Sequence, residues 1–241
     1  MARRGLAALL SAALAVQSAQ AECTVDAMLV FDASASMISP GLGGSTVQRI
    51  HEAREAVAEV LPRVEHTRRI GLVTYGPGGP GACSGIDLRF GPRVAAADPV
   101  IAAVDAIRPG GLTPLSAAVD LAARTLDHRA RPGVVVLVTD GNESCGGTPC
   151  AMADRLAAEA VDLTIHVIGF KAVWDTFARS YGTQRSGGFS GEIISRCMAD
   201  RTGGIFASAD TVEELVAALE RTLGCLVVGR AEASPATRPP A

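Results

Sequence analysis

Two kinds of apolar pattern alternate along the chain. Short unbroken runs at 27–31, 70–75, 134–139 and 163–170 are bounded by small or polar residues, as strands buried on both faces are. Between them the apolar positions fall at three- and four-residue spacing. Examples are Val47, Ile50, Val57 and Leu61 within 46–61, Val100, Val104 and Ile107 within 98–107, and Leu115, Val119, Ala122 and Leu126 within 115–126. These stretches predict amphipathic helices, as do 150–161, 192–201 and 211–223. Pro62 predicts the end of the first, and Asp210 or Thr211 a cap for the last. Residues 86–90 alternate apolar and polar, which predicts an edge strand, and 204–207 a short final one. Strand following helix through the chain predicts an α/β fold with a mostly parallel sheet, one antiparallel edge strand and helices on both faces. The stretch 171–191 follows neither period, and the glycine-proline segment 76–81 opens no helix, so it reads as a plain connection.

Composition narrows this picture. With 241 residues, 48% of them hydrophobic, the chain is long enough for one large core. Its formal net charge of −3 gives no sign of a nucleic-acid partner. The one lysine, Lys171, follows no phosphate-cradling glycine loop, which excludes a P-loop nucleotidase. Arg3 and Arg4, the apolar stretch 6–16 and Ala19-Gln20-Ala21 form a secretory signal with cleavage after Ala21. The chain therefore divides into a signal peptide (1–21), one domain (22–225) and a disordered Pro/Ala-rich tail (226–241), and it is expected to be periplasmic or secreted. Export makes the six cysteines disulfide candidates, with fifteen pairings open. Cys145 and Cys150 flank a turn-forming Gly-Gly-Thr-Pro. Cys23 and Cys225 bracket the domain, which leaves Cys83 to meet Cys197.

The candidate chemistry lies where strands end. Asp32, Ser34 and Ser36 follow the run 27–31 at alternate positions, and Asp140 follows the run 134–139. In open α/β sheets the carboxyl ends of the strands are where ligands bind. Carboxylates and hydroxyls are hard oxygen donors, suited to Mg²⁺, Mn²⁺ or Ca²⁺. Each residue also has a plain reading: Asp32 and Asp140 as helix caps, Ser34 and Ser36 as turn residues, Thr113 as the cap of the helix after Pro114.

Taken together, Asp32-Ala33-Ser34-Ala35-Ser36, Gly111-Leu112-Thr113-Pro114-Leu115 and Val138-Thr139-Asp140-Gly141 resemble the three metal-site segments of the von Willebrand factor type A domain. The resemblance spans roughly 25–223 and implies a doubly wound, Rossmann-like sheet carrying a metal-ion-dependent adhesion site. In that family's pattern Ser34, Ser36 and Thr113 would ligate a divalent cation, magnesium first, through their hydroxyls. Asp32 and Asp140 would act directly or through water. Ala35 stands where many members carry glycine, and the five ligand positions are intact. The implied function is binding, not catalysis: a protein partner's acidic side chain completes the coordination of the cation.

Two other classes compete with that reading. A metal-dependent hydrolase would use the same carboxylates, but His51, His66, His128 and His166 all fall in or beside helices and strands, away from the strand ends, and no G-x-S-x-G elbow occurs. An assembly subunit of a periplasmic complex would dock through a helix face, and the helices carry no apolar stripe beyond the one their core needs.

Overall fold

A computed structural model describes residues 25–39, 46–171 and 191–224. The expected signal peptide and tail, the Cys23–Cys225 pair and most of the aperiodic stretch 171–191 lie outside the described residues. Strands β1 (Ala27–Asp32), β2 (Ile70–Tyr75), β3 (Ile86–Arg93), β4 (Gly133–Thr139), β5 (Leu163–Phe170) and β6 (Phe206–Ala209) form one sheet in the order β3-β2-β1-β4-β5-β6. All neighbours pair in parallel except β3, which runs antiparallel to β2 at the edge. The mostly parallel α/β sheet expected from the pattern, doubly wound as the family resemblance implies, is the one observed.

The helices are α1 (Arg49–Val64), α2 (Ala97–Asp105), α3 (Leu115–Thr125), α4 (Pro149–Glu159), α5 (Gly191–Thr202) and α6 (Val212–Leu223). Strand alternation divides the core into two layers. On β1, Ala27, Leu29 and Phe31 face α1, α2 and α6, while Met28 and Val30 face α3, α4 and α5. Both faces being covered explains why the central strands read as unbroken apolar runs. Among the described residues, no helix is long and apolar enough to cross a membrane.

The chain leaves β1 for β2 on one side and later returns to β4 on the other. The sheet's switch point therefore lies between the carboxyl ends of β1 and β4, where Asp32 and Asp140 stand. The antiparallel edge is irregular: its pairing shifts register twice, between Ile70 and Leu72 and between Leu72 and Val73. It carries Asp87, Arg89, Pro92 and Arg93.

Some local expectations are corrected. Helix α1 does not end at Pro62 but continues to Val64. The missing proline N–H would have reached the carbonyl of Ala58 on the exposed side, and burial of Leu61 and Val64 on the other side outweighs that loss. The same helix begins at Arg49, leaving Val47 before it and half-exposed. At the other end of the domain Thr211 caps α6 as expected, its hydroxyl accepting the Glu214 N–H at 3.2 Å in a full capping box.

The disulfides differ from the expected pairing. Cys83 bonds Cys145 and Cys150 bonds Cys197, with Cα separations of 5.7 and 5.5 Å. The expected Cys145–Cys150 and Cys83–Cys197 bridges are therefore not formed. Pro149 starts α4 directly after the turn, so Cys150 belongs to a helix packed against α5, home of Cys197. Cys145 stays in the preceding loop, beside the β2–β3 connection that carries Cys83.

Candidate metal site

Asp32, the last residue of β1, is fully buried and each of its oxygens is engaged. Oδ1 accepts the Ser34 N–H at 2.8 Å, closing a tight turn. Oδ2 accepts the Tyr75 hydroxyl at 2.9 Å and the Thr139 hydroxyl at 2.7 Å. Tyr75 ends β2 and Thr139 ends β4, so the two strands flanking β1 hold its carboxylate between them. Burial raises the pKa of Asp32, with the bonds from Ser34, Thr139 and Tyr75 opposing the rise. Tyr75 is also raised, by burial first and then by the Asp32 charge, and stays a donor.

From Asp32 the chain enters a short 3₁₀ turn, Ala35–Ile38, that folds Ser36 back towards Ser34. Their hydroxyls lie 2.9 Å apart, and Ser36 Oγ donates to Asp140 Oδ1 at 2.6 Å. Four of the five predicted residues thus form one buried or half-buried hydrogen-bonded cluster at the switch point. The Asp140 carboxyl is raised to about 6, by burial first and next by the nearby Asp32.

The fifth residue, Thr113, is buried on the adjoining loop. Its segment docks on the serine turn through Ala35 N–H to Gly111 O and Gly110 N–H to Ala33 O, both at 3.1 Å. Thr113 is clasped by Ser144, which accepts its N–H at 2.8 Å and donates to its carbonyl at 3.1 Å. Among the described residues its hydroxyl takes no part in the bonded cluster. Nor does it cap α3, as its plain reading required. Glu143 fills that role, accepting the Ser116 N–H and the Cys145 N–H, each at 2.8 Å. The Cys83–Cys145 bridge then ties this loop to the β2–β3 connection. Close approach of these loops demands glycine at two points. A Cβ on Gly76 (φ +104°) would lie 2.2 Å from Ser34 N, and one on Gly111 (φ +64°) 2.6 Å from Gly76 O.

Arg49, the first residue of α1, was not singled out by the sequence. It is 4% exposed, and its Nη1 donates at 3.0 Å both to Asp140 Oδ2 and to the Ser36 carbonyl. An arginine opening a helix carries no signal of burial. Tyr75 and Thr139 did carry one, since each is a polar residue closing a central strand beside Asp32 or Asp140.

The donor set fits a hard divalent cation. Two carboxylates and two hydroxyls already converge, and two buried carboxyls whose pKa values are both raised form a site short of positive charge. The oxygen-only chemistry matches magnesium, manganese or calcium better than softer metals.

Residues 27–143 match the von Willebrand factor type A domain family. The YwmD protein of Bacillus subtilis (strain 168) is 28% identical over 207 residues, covering 81% of this chain and 90% of that one. Among solved structures, an aerotolerance-related membrane protein from Bacteroides fragilis has a TM-score of 0.57 at 18% identity, covering 83% of this chain and 98% of that chain. Proximal thread matrix protein 1 from the mussel byssus, solved with a zinc-occupied MIDAS motif, has a TM-score of 0.55 at 18% identity, covering 83% of this chain and 45% of that one. At such identities the two structures show the shared fold. The family match over residues 27–143, the sheet order and the three segments meeting at one switch point together identify a von Willebrand factor type A domain within this chain.

Proposed function

We propose that the protein is an exported binding module that engages an acidic side chain of a partner protein through a divalent cation held by Asp32, Ser34, Ser36, Thr113 and Asp140. Magnesium is the first choice of cation, with manganese and calcium as the other hard candidates. The observation that carries this reading is the buried to half-buried chain of bonds from Asp32 through Ser34 and Ser36 to Asp140 at the sheet's switch point. The zinc in the mussel protein's MIDAS motif supports divalent-metal binding at a site of this kind. The two disulfides suit a chain that leaves the cytoplasm, as does a signal peptide at 1–21.

Within this reading the protein's own groups divide the work. Tyr75, Thr139 and the Ser34 N–H fix the Asp32 carboxylate, so it cannot rotate away from the serines. Ser34 and Ser36 are aimed by the 3₁₀ turn, and Thr113 by its clasp with Ser144. When bound, the cation supplies Lewis acidity at a coordination place that an external carboxylate takes in exchange for water. The module has no catalytic assignment: binding alone is its activity.

Calorimetric titration with Mg²⁺ and Mn²⁺ tests the reading. Wild type is expected to give a saturable single-site heat and Asp32→Ala none. Equal heats from the two proteins would remove the site. A pull-down with and without EDTA then tests the partner contact, which is expected to disappear with the metal.

A further inference from the structure

The charge balance of the oxygen cluster points past the five candidate ligands. Asp32 and Asp140 put two negative charges at the end of the sheet, and both are buried. Arg49 answers one of them. Its side chain is 4% exposed, and its ion pair with Asp140 spans 3.0 Å. Among the described residues Asp140 is its single ion-pair partner, and the buried Nε finds no acceptor. The guanidinium is therefore not shared with a second carboxylate. Its charge is fixed, since arginine does not lose its proton in proteins.

The geometry also splits the Asp140 carboxylate in two. Oδ2 faces Arg49, while Oδ1 faces Ser36 at 2.6 Å. By holding the Ser36 carbonyl as well, Arg49 grips both the serine turn and the end of β4 from outside the cluster. A pair of this kind usually reads as scaffolding. Here it sits directly behind two of the five oxygen donors, where a permanent positive charge must oppose the entry of another.

Resting on the cation reading above, we propose that Arg49 is a tethered counter-charge of the metal site. It stabilises the empty cluster, lowers its affinity for a divalent cation, and leaves a bound cation with more uncompensated charge to offer an acidic partner. With Arg49 the protein brings one net negative charge to the site, and a divalent ion leaves it net positive. Without Arg49 the same ion would only neutralise two carboxylates. The arginine thus trades grip on the metal for attraction of the partner.

The sign of the effect separates this role from plain positioning. If Arg49 served only to hold Asp140 in place, removing it would loosen the site and weaken metal binding. As a counter-charge, its removal strengthens binding. The experiment titrates Mn²⁺ and Mg²⁺ by calorimetry into wild type, Arg49→Met and Arg49→Lys, alongside melting curves in EDTA and in saturating metal. Arg49→Met is expected to melt well below wild type in EDTA, to bind Mn²⁺ at least tenfold more tightly, and to recover most of the lost melting temperature when loaded. Arg49→Lys is expected to stay near wild type in affinity. Should Arg49→Met fail to fold, Arg49→Gln drops the charge but keeps a donor and carries the same comparison. A wild type that binds metal together with a neutral variant that binds equally or more weakly overturns the counter-charge and leaves the metal site standing. Binding by the neutral variant but not by wild type supports the counter-charge and removes the metal reading for the native chain. No binding by any of the folded variants overturns both.

Discussion

Two clusters of arginines and acids occupy opposite ends of this domain, and they obey different physics. At the carboxyl ends of the strands, Asp32, Asp140 and Arg49 are 0, 2 and 4% exposed. Towards the amino ends, Arg124, Arg129 and Arg155 surround a hollow of about 480 Å³ with Asp120, and Glu159 joins them. Those arginine side chains are 63, 66 and 46% exposed. The lower set has more ion pairs, three of them shorter than the upper one, with Arg155 2.6 Å from Asp120 and Arg129 2.7 Å from Glu159. Number and distance do not decide the outcome, because water screens the lower pairs and solvates any partner left alone. At the upper end, loss of one partner strands a charge in the protein interior.

Mutations at the two ends can break this contrast. The largest effect is expected from Arg49→Ala in EDTA at pH 8, a loss of about 3–5 kcal/mol in urea unfolding, the usual consequence of leaving one member of a buried pair alone. A loss comparable to that at the exposed end would mean the upper pair is hydrated. Next in size is removal of the rim bridge by Cys83→Ser with Cys145→Ser. The two residues are 62 apart in sequence, and closing such a loop contributes roughly 2–4 kcal/mol. If urea unfolding shows a normal loss but metal affinity holds, the bridge acts on the unfolded chain alone. A fall in affinity would assign it a share in placing Thr113.

His166 on β5 provides a half-buried titratable group away from both clusters. Its Nδ1 accepts the Ile205 N–H at 2.9 Å, and burial, followed by the Arg68 charge, lowers its pKa to about 4. The unfolded histidine takes a proton near pH 6.5, so between those values the unfolded chain binds more protons. The stability it contributes is fully present above pH 6.5 and is lost as pH falls towards 4. The expected loss is on the order of 2–3 kcal/mol, read from denaturation midpoints across that window. His166→Gln should flatten that part of the curve. The smallest effect belongs to Arg155→Ala, expected to cost under about 1 kcal/mol after screening, with little change on moving from low to high salt beyond that amount.

Much of the architecture was legible because the central strands are covered on both faces. That condition turns 27–31, 70–75, 134–139 and 163–170 into unbroken apolar runs that stand out from the helical period. The cluster of Asp32, Ser34, Ser36 and Asp140 was legible for a related reason, since polar residues directly after such runs must lie at the sheet's end. Arg49 was not legible: an arginine on the first turn of a helix reads as solvated, and its burial depends on where β4 ends in space. The disulfides were misread because spacing along the chain favoured the nearby Cys145 and Cys150. Helix α4 begins between them and sends each towards a different neighbour. Pro62 was misread because the rule against proline within helices weighs a local bond, whereas Leu61 and Val64 are held by tertiary packing.

The irregular outer strand has a consequence of its own. A sheet margin offering straight, unpaired backbone is a template on which further copies can stack into fibrils. Here one margin is bent by two register shifts, studded with charges and interrupted by Pro92, and the other is only four residues long. Both borders of this sheet therefore discourage strand-to-strand polymerisation.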